Sequence, residues 1–278
     1  MVFKLKRTLI KKLPLEAQEF LRIFIKNPSL LYPRQLLSLY KLRRLITSGQ
    51  VAIVPIGFRC WTKIRLYRKL GISQASLPFD NGFFPPDAVA QVLGAQHISL
   101  NFNDKLPQTV CIKNESFTDT NTDYGIKFEK STYDKINYLA KSKEQEDINR
   151  YLDSTFAYYT LNTKYGYVLA HYNWHEFANV KHSKNHTEPE QNIKEINMIL
   201  SRRIERMLRM CEKAKIIFFV YEETQGYNYM AIDEKYSDLK NLEPIKAAVK
   251  DRFNSKSIVI ESSDIRSPRD IMKIIKKR

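Results

Sequence analysis

Cys60 stands between two segments of opposite character. Val51-Ala-Ile-Val-Pro-Ile56 is a short apolar run that reads as a buried strand, Gly57 ends it, and Trp61 to Leu70 has helical spacing. A thiol at a strand end and in the first turn of a helix meets backbone N–H groups and the positive end of the helix dipole. Both favour the thiolate, and Arg59 adds a neighbouring charge. A thiolate is a nucleophile, so the chemistry to expect is acyl transfer. That chemistry also needs a base for the thiol proton and a third group that fixes the base's tautomer. His171 and His175 are the candidate bases. Asp80, in Ser76-Leu-Pro-Phe-Asp-Asn81, is the candidate acid, with Pro78 restraining the turn and Phe79 anchoring it. N–H groups around Cys60 would form the oxyanion hole. Gly57, Arg59, Asn81, Asn173 and Glu222 are the expected substrate-binding positions. Each residue also has a structural reading: a buried small hydrophobe for Cys60, a satisfied core histidine for His171, an Asx-turn or cap for Asp80.

These residues need a frame that brings them together. Strand-like runs alternate with helical ones from residue 51 onward. Strands are expected at Val51–Ile56, Thr109–Ile112, Gly125–Phe128, Tyr165–His171, Ile216–Tyr221 and Ser257–Ile260. Helices are expected at Trp61–Leu70, Ala88–Leu93, Lys141–Leu161, Asn192–Lys213, Leu239–Phe253 and Pro268–Lys277. Strands separated by helices imply βαβ units, so the fold class is α/β, an open, mostly parallel sheet flanked by helices. Ligands of such sheets lie beyond the carboxyl ends of the strands. Three strand ends then share one rim: Gly57 to Cys60; His171, Asn173 and His175; and Glu222 with Glu223.

Residues 1–50 differ from residues 51–278 and are expected to form a basic helical extension of that domain. They hold eleven Lys and Arg against two acids, and Pro14, Pro28 and Pro33 divide them into short amphipathic helices. The whole chain has 46 Lys and Arg against 30 Asp and Glu, a net charge of +16, which implies an anionic partner. A basic amphipathic region either lies on an acidic membrane surface or caps the core with a solvated face. No run of about 18 uncharged apolar residues is present. The N-terminus lacks the apolar region and cleavage site of a secretory signal. Cys60, Cys111 and Cys211 are too far apart for zinc spacing and too few for a disulfide scaffold, which points to a reducing compartment. The expected location is cytoplasmic, with peripheral contact at the inner membrane through residues 1–50. His175, His182 and His186 fit no standard metal site. Gly57 stands alone with no Gly-rich phosphate loop, so no cofactor is expected. No nucleic-acid reader motif is present.

Pro55-Ile-Gly-Phe-Arg-Cys60, Ser76-Leu-Pro-Phe-Asp80, a histidine in an aromatic context and Arg202-Arg-Ile-Glu-Arg206 before an apolar strand together resemble the bacterial papain-like cysteine peptidase family. Members carry Ser-Leu-Gly-x-x-Cys, Pro-Phe-Asp-Trp and a downstream His-Asp-Phe. The resemblance spans roughly residues 51–262. It implies Cys60 as nucleophile and Asp80 as a site acid, with the base at His175, in His-Glu-Phe, or at His171, at a strand end. The chain departs at Ile56 for Leu, Asn81 for Trp and Glu176 for Asp.

The resemblance also implies an association with surface-polysaccharide enzymes. The expected function is therefore a cysteine-dependent acyl hydrolase or acyltransferase acting on an anionic glycan or glycolipid. Two alternatives stand beside it. One is a glycosyltransferase-like or sugar-modifying enzyme of capsule or lipopolysaccharide biosynthesis, using Asp80, Glu222 and Glu223. The other is a non-catalytic polyanion-binding module.

Overall fold

Val51-Ala-Ile-Val-Pro55 carries no polar side chain, and all five residues are buried. A strand apolar on both faces must be covered on both, and this requirement organises the molecule. The computed structural model describes residues 27–57, 61–101, 108–114, 126–128, 156–162, 164–169, 189–222 and 239–278. Their main elements, in chain order, are α1 (Pro33–Thr47), β1 (Val51–Pro55), α2 (Trp61–Leu70), β2 (Gly82–Phe83), α3 (Pro86–Gly94), β3 (Gln108–Asn114), β4 (Ile126–Phe128), β5 (Phe156–Asn162), β6 (Tyr167–Leu169), α4 (Pro189–Lys213), β7 (Ile216–Tyr221), α5 (Glu243–Phe253), β8 (Ser257–Glu261) and α6 (Pro268–Lys276).

The chain is α/β. Its open parallel sheet has the order β1-β7-β8, with Val51 opposite Ile216 and Ile217 opposite Ser257. Alternate residues feed two cores. Ala52, Val54, Ile217 and Phe219 face the layer of α3, α4 and α5, whose contributions include Val89, Leu200, Ile204 and Ile245. Val51, Ile53, Phe218 and Val220 face α1, α2 and α6 through Leu42, Leu66, Leu70 and Ile271. The period of two in the strands and the 3.6-residue period of the helices produce this division directly. In α4, Ile196, Leu200, Ile204, Met207 and Cys211 form one buried stripe.

A second sheet, order β2-β6-β5-β3-β4, is antiparallel throughout. This corrects two expectations. The helix expected over Lys141–Leu161 ends in error, because Phe156-Ala-Tyr-Tyr-Thr-Leu-Asn162 is strand β5. Its aromatic and β-branched residues suit a pleated surface. The strand expected over Tyr165–His171 is described at Tyr167–Leu169, follows a turn at Gly166 (φ +74°), and pairs with β2 and β5 rather than with the parallel strands. Tight connections of this kind cannot make a parallel crossover.

The described part of the basic segment is docked on the domain. Leu42 of α1 lies in the core. Arg43 donates from Nε (3.0 Å) and from Nη2 to the carbonyl of Gly71, the left-handed residue (φ +63°) that follows α2. Burial lowers the pKa of Arg43 from its ordinary value.

Candidate functional site

Gly57 follows β1, and Trp61 begins α2. The Ile56 N–H donates to the Val220 carbonyl at 2.9 Å, so the parallel register carries on past β1 and sets Gly57 beside Glu222. The carboxyl ends of β1 and β7 thus share an edge, as expected for ligand binding in such sheets. Gly57 is required by close approach: a Cβ there would overlap the side chain of Thr62 in the first turn of α2. Thr62 is buried, and its Oγ1 has no hydrogen-bond partner among the described residues.

Asp80 is tied to the first turn of α2 through Lys63. Its carboxylate is nearly inaccessible, with 1% side-chain exposure, and it pairs with Lys63 Nζ at 3.1 Å. The Leu77 N–H donates to Asp80 Oδ2 at 2.6 Å, and the Asp80 N–H donates back to the Leu77 carbonyl at 3.3 Å. These two bonds give Asp80 the turn-closing role of the structural reading. Burial pushes its carboxyl above the ordinary value. The Lys63 charge and the Leu77 N–H pull it back, and the charge on Arg203 acts in the same direction. Lys63 also donates to Ser76 Oγ at 3.0 Å and lies over the Tyr67 ring, 5.7 Å from its centroid. Burial raises the Tyr67 pKa, as does the Asp80 charge.

Glu222 pairs through Oε1 with Arg65 Nη1 at 3.0 Å, while its Oε2 is buried with no hydrogen bond among the described residues. Thus Lys63 and Arg65, two residues apart on α2, reach two different acids on one rim. Asn81 ends the 3-10 turn Pro78–Asn81, directly before β2. Cys60, Arg59, His171, Asn173, His175 and Glu223 lie outside the described residues. The strand that precedes His171 belongs to the antiparallel sheet, so the expectation of three parallel strand ends on one rim holds for β1 and β7 and not for β6. A different link replaces it. In the β2–β6 ladder Leu169 is opposite Gly82. Leu169 is two residues before His171, and Gly82 is two residues after Asp80.

Sequence reasoning missed Lys63, Tyr67, Thr62 and Arg65. A lysine on a helix reads as solvated. One signal was available: no Asp or Glu occurs between Glu19 and Asp80, a stretch that holds eleven Lys and Arg. Asp80 is the first acid after that cationic run, which marks it as a counter-charge. Cys211 is buried, and burial pushes its thiol up to about 12, in agreement with a structural role. Among the described residues, no three of His, Cys, Asp and Glu cluster. A cavity of about 310 Å³ lined by Gly49, Val51, Arg206 and Lys213 lies at the amino end of β1, and Arg206 in its lining also donates to the Ser76 carbonyl.

Comparison of the chain with protein-family models, with curated proteins and with solved structures finds no match.

Proposed function

We propose that the protein is a cysteine-dependent acyl hydrolase or acyltransferase with Cys60 as nucleophile, His171 as base and Asp80 as the group that orients it. His175 is the alternative base. The observation that carries this reading is convergence on Asp80. Lys63, three residues after Cys60 in the sequence and in the first turn of α2, pairs with Asp80. Leu169, two residues before His171, pairs with the strand that leaves Asp80. Two residues reach at most about 7 Å, so His171 lies within that distance of Leu169 along the chain. A buried carboxylate held by two donors is rigid, which is what fixing an imidazole's tautomer requires. The resemblance to the bacterial papain-like cysteine peptidase family supports the same three residues.

In this reading the histidine takes the Cys60 proton, and the thiolate attacks an acyl carbonyl. Backbone N–H groups at the strand-to-helix connection receive the oxyanion. The leaving group departs with the proton from the imidazolium, which leaves a thioester on Cys60. Water completes hydrolysis, or a hydroxyl or amine acceptor completes transfer. The proposed substrate is an anionic, acylated glycan or glycolipid, since a charge of +16 favours anionic ligands.

An activated ester such as p-nitrophenyl acetate tests the reading. The expected result is an acyl adduct mapped to Cys60 and absent in Cys60→Ser, with Cys211 unlabelled in the folded protein. Turnover should fall about 10²–10⁴-fold in His171→Ala. Loss in His175→Ala instead reassigns the base. An adduct elsewhere, or an unchanged rate in Cys60→Ser, overturns the nucleophile.

A further inference from the structure

The two helical layers that cover the parallel sheet carry very different charge. The layer of α1, α2 and α6 holds eleven Lys and Arg (four on α1, four on α2, three on α6) and a single acid, Asp270. The layer of α3, α4 and α5 holds nine Lys and Arg against seven acids. The first layer, with the turn before α1, also exposes several large apolar side chains. α1 buries Leu39 and Leu42 on one side. Elsewhere on α1 Tyr40 is 64% exposed, Leu37 56% and Leu36 42%, and just before it Tyr32 is 69% exposed and Leu31 57%. Around the helix these residues alternate with the exposed Arg34, Lys41 and Arg44. α6 packs against α1 and adds the exposed Arg269, Lys273 and Lys276 to the same layer.

Cations alone fit any polyanion. Leucines and tyrosines standing among cations fit a surface that offers anionic headgroups and, immediately beneath, hydrocarbon. Tyrosine is suited to that boundary because its ring is apolar and its hydroxyl is not. A nucleic acid backbone has no use for three exposed leucines. We infer that the α1–α6 face docks the protein on an anionic bilayer. The inference is independent of the chemistry at Cys60 and moves the membrane contact expected for residues 1–50 onto a surface that the C-terminal helix shares. α2 belongs to this layer and also bears Lys63 and Arg65, so docking brings the Asp80 edge close to the bilayer, where a glycolipid headgroup is presented.

The test uses the full chain and sedimentation with vesicles of phosphatidylcholine alone or mixed with phosphatidylglycerol. Binding is expected only to the anionic vesicles and should weaken with salt, because exposed charges are screened. Each neutralised cation should weaken binding about fivefold, so Lys41→Gln, Arg44→Gln and Lys273→Gln together lose about a hundredfold. Leu36→Ser with Tyr40→Ser keeps every charge and should still lose tenfold or more. All five positions are exposed, and circular dichroism verifies that each variant folds. Equal binding to neutral vesicles, or full binding by the charge variant, overturns the inference. So does full binding by Leu36→Ser/Tyr40→Ser, which would mark a surface for soluble polyanions such as nucleic acid. Loss of vesicle binding with the Cys60 ester reaction intact separates this face from the proposed chemistry.

Discussion

Lys63 and Asp80 depend on each other because both charges are withdrawn from water. Lys63 is 19% exposed and Asp80 1%. Removing one partner leaves the other buried and uncompensated, at a cost of about 3–5 kcal/mol. Lys63→Met should therefore lose that much stability at neutral pH by chemical denaturation. Lys63→Met/Asp80→Asn should lose far less than the sum of the two single changes, since the stranded charge is gone. A carboxyl whose folded pKa is raised holds its proton more tightly folded than unfolded. Its ionisation costs stability, a cost absent below the ordinary carboxylate range and complete above the raised value. The stability of the wild type relative to Asp80→Asn should thus fall as pH rises from about 3 toward neutral. A rise over that window would show that Lys63 outweighs burial. Asp80 was legible in the sequence because Pro78 and Phe79 fix its turn. Lys63 was not, because its partner lies across a tertiary contact that helical spacing does not encode.

Gly57 and Thr62 meet with no spare volume. Gly57→Ala would drive a methyl group into Thr62, so α2 or its first turn must shift. The expected loss is about 1–3 kcal/mol, together with loss of ester turnover if the Cys60 reading is right. A fully stable, fully active Gly57→Ala would show that the edge is more open than its geometry implies. At this scale the sequence was most legible where one period runs long. The buried stripe of α4 is visible over its whole length, and β7 and β8 were located to within a residue. It was least legible from 108 to 169. Period two reveals a strand and not its direction, and the charges of residues 141–150 masked the aromatic alternation of β5. The alternation of elements therefore predicted the parallel sheet and left the antiparallel one unseen.

For the whole molecule, the boundary expected at residue 50 meets a helix that is part of the core. Leu42 is fully buried. Leu42→Ala should cost about 2–5 kcal/mol in denaturant unfolding. A loss below about 1 kcal/mol would show that α1 is peripheral to the domain. Among the described residues, no helix is long and apolar enough to cross a membrane. Topology has one more outcome, which concerns the order in which the chain is made. Among the described residues β1 pairs with β7 alone in its sheet, so Val51 must wait for Ile216. At a synthesis rate of roughly 5–20 residues per second, that interval is on the order of ten seconds or longer. Strands β3 to β6 are made in between and pair with one another, so the antiparallel sheet is able to assemble first. Throughout that interval the nascent chain carries the apolar strand β1 without its partner strand. A chain halted before Ile216 should then leave β1 open to proteolysis, and one extended past Tyr221 should protect it.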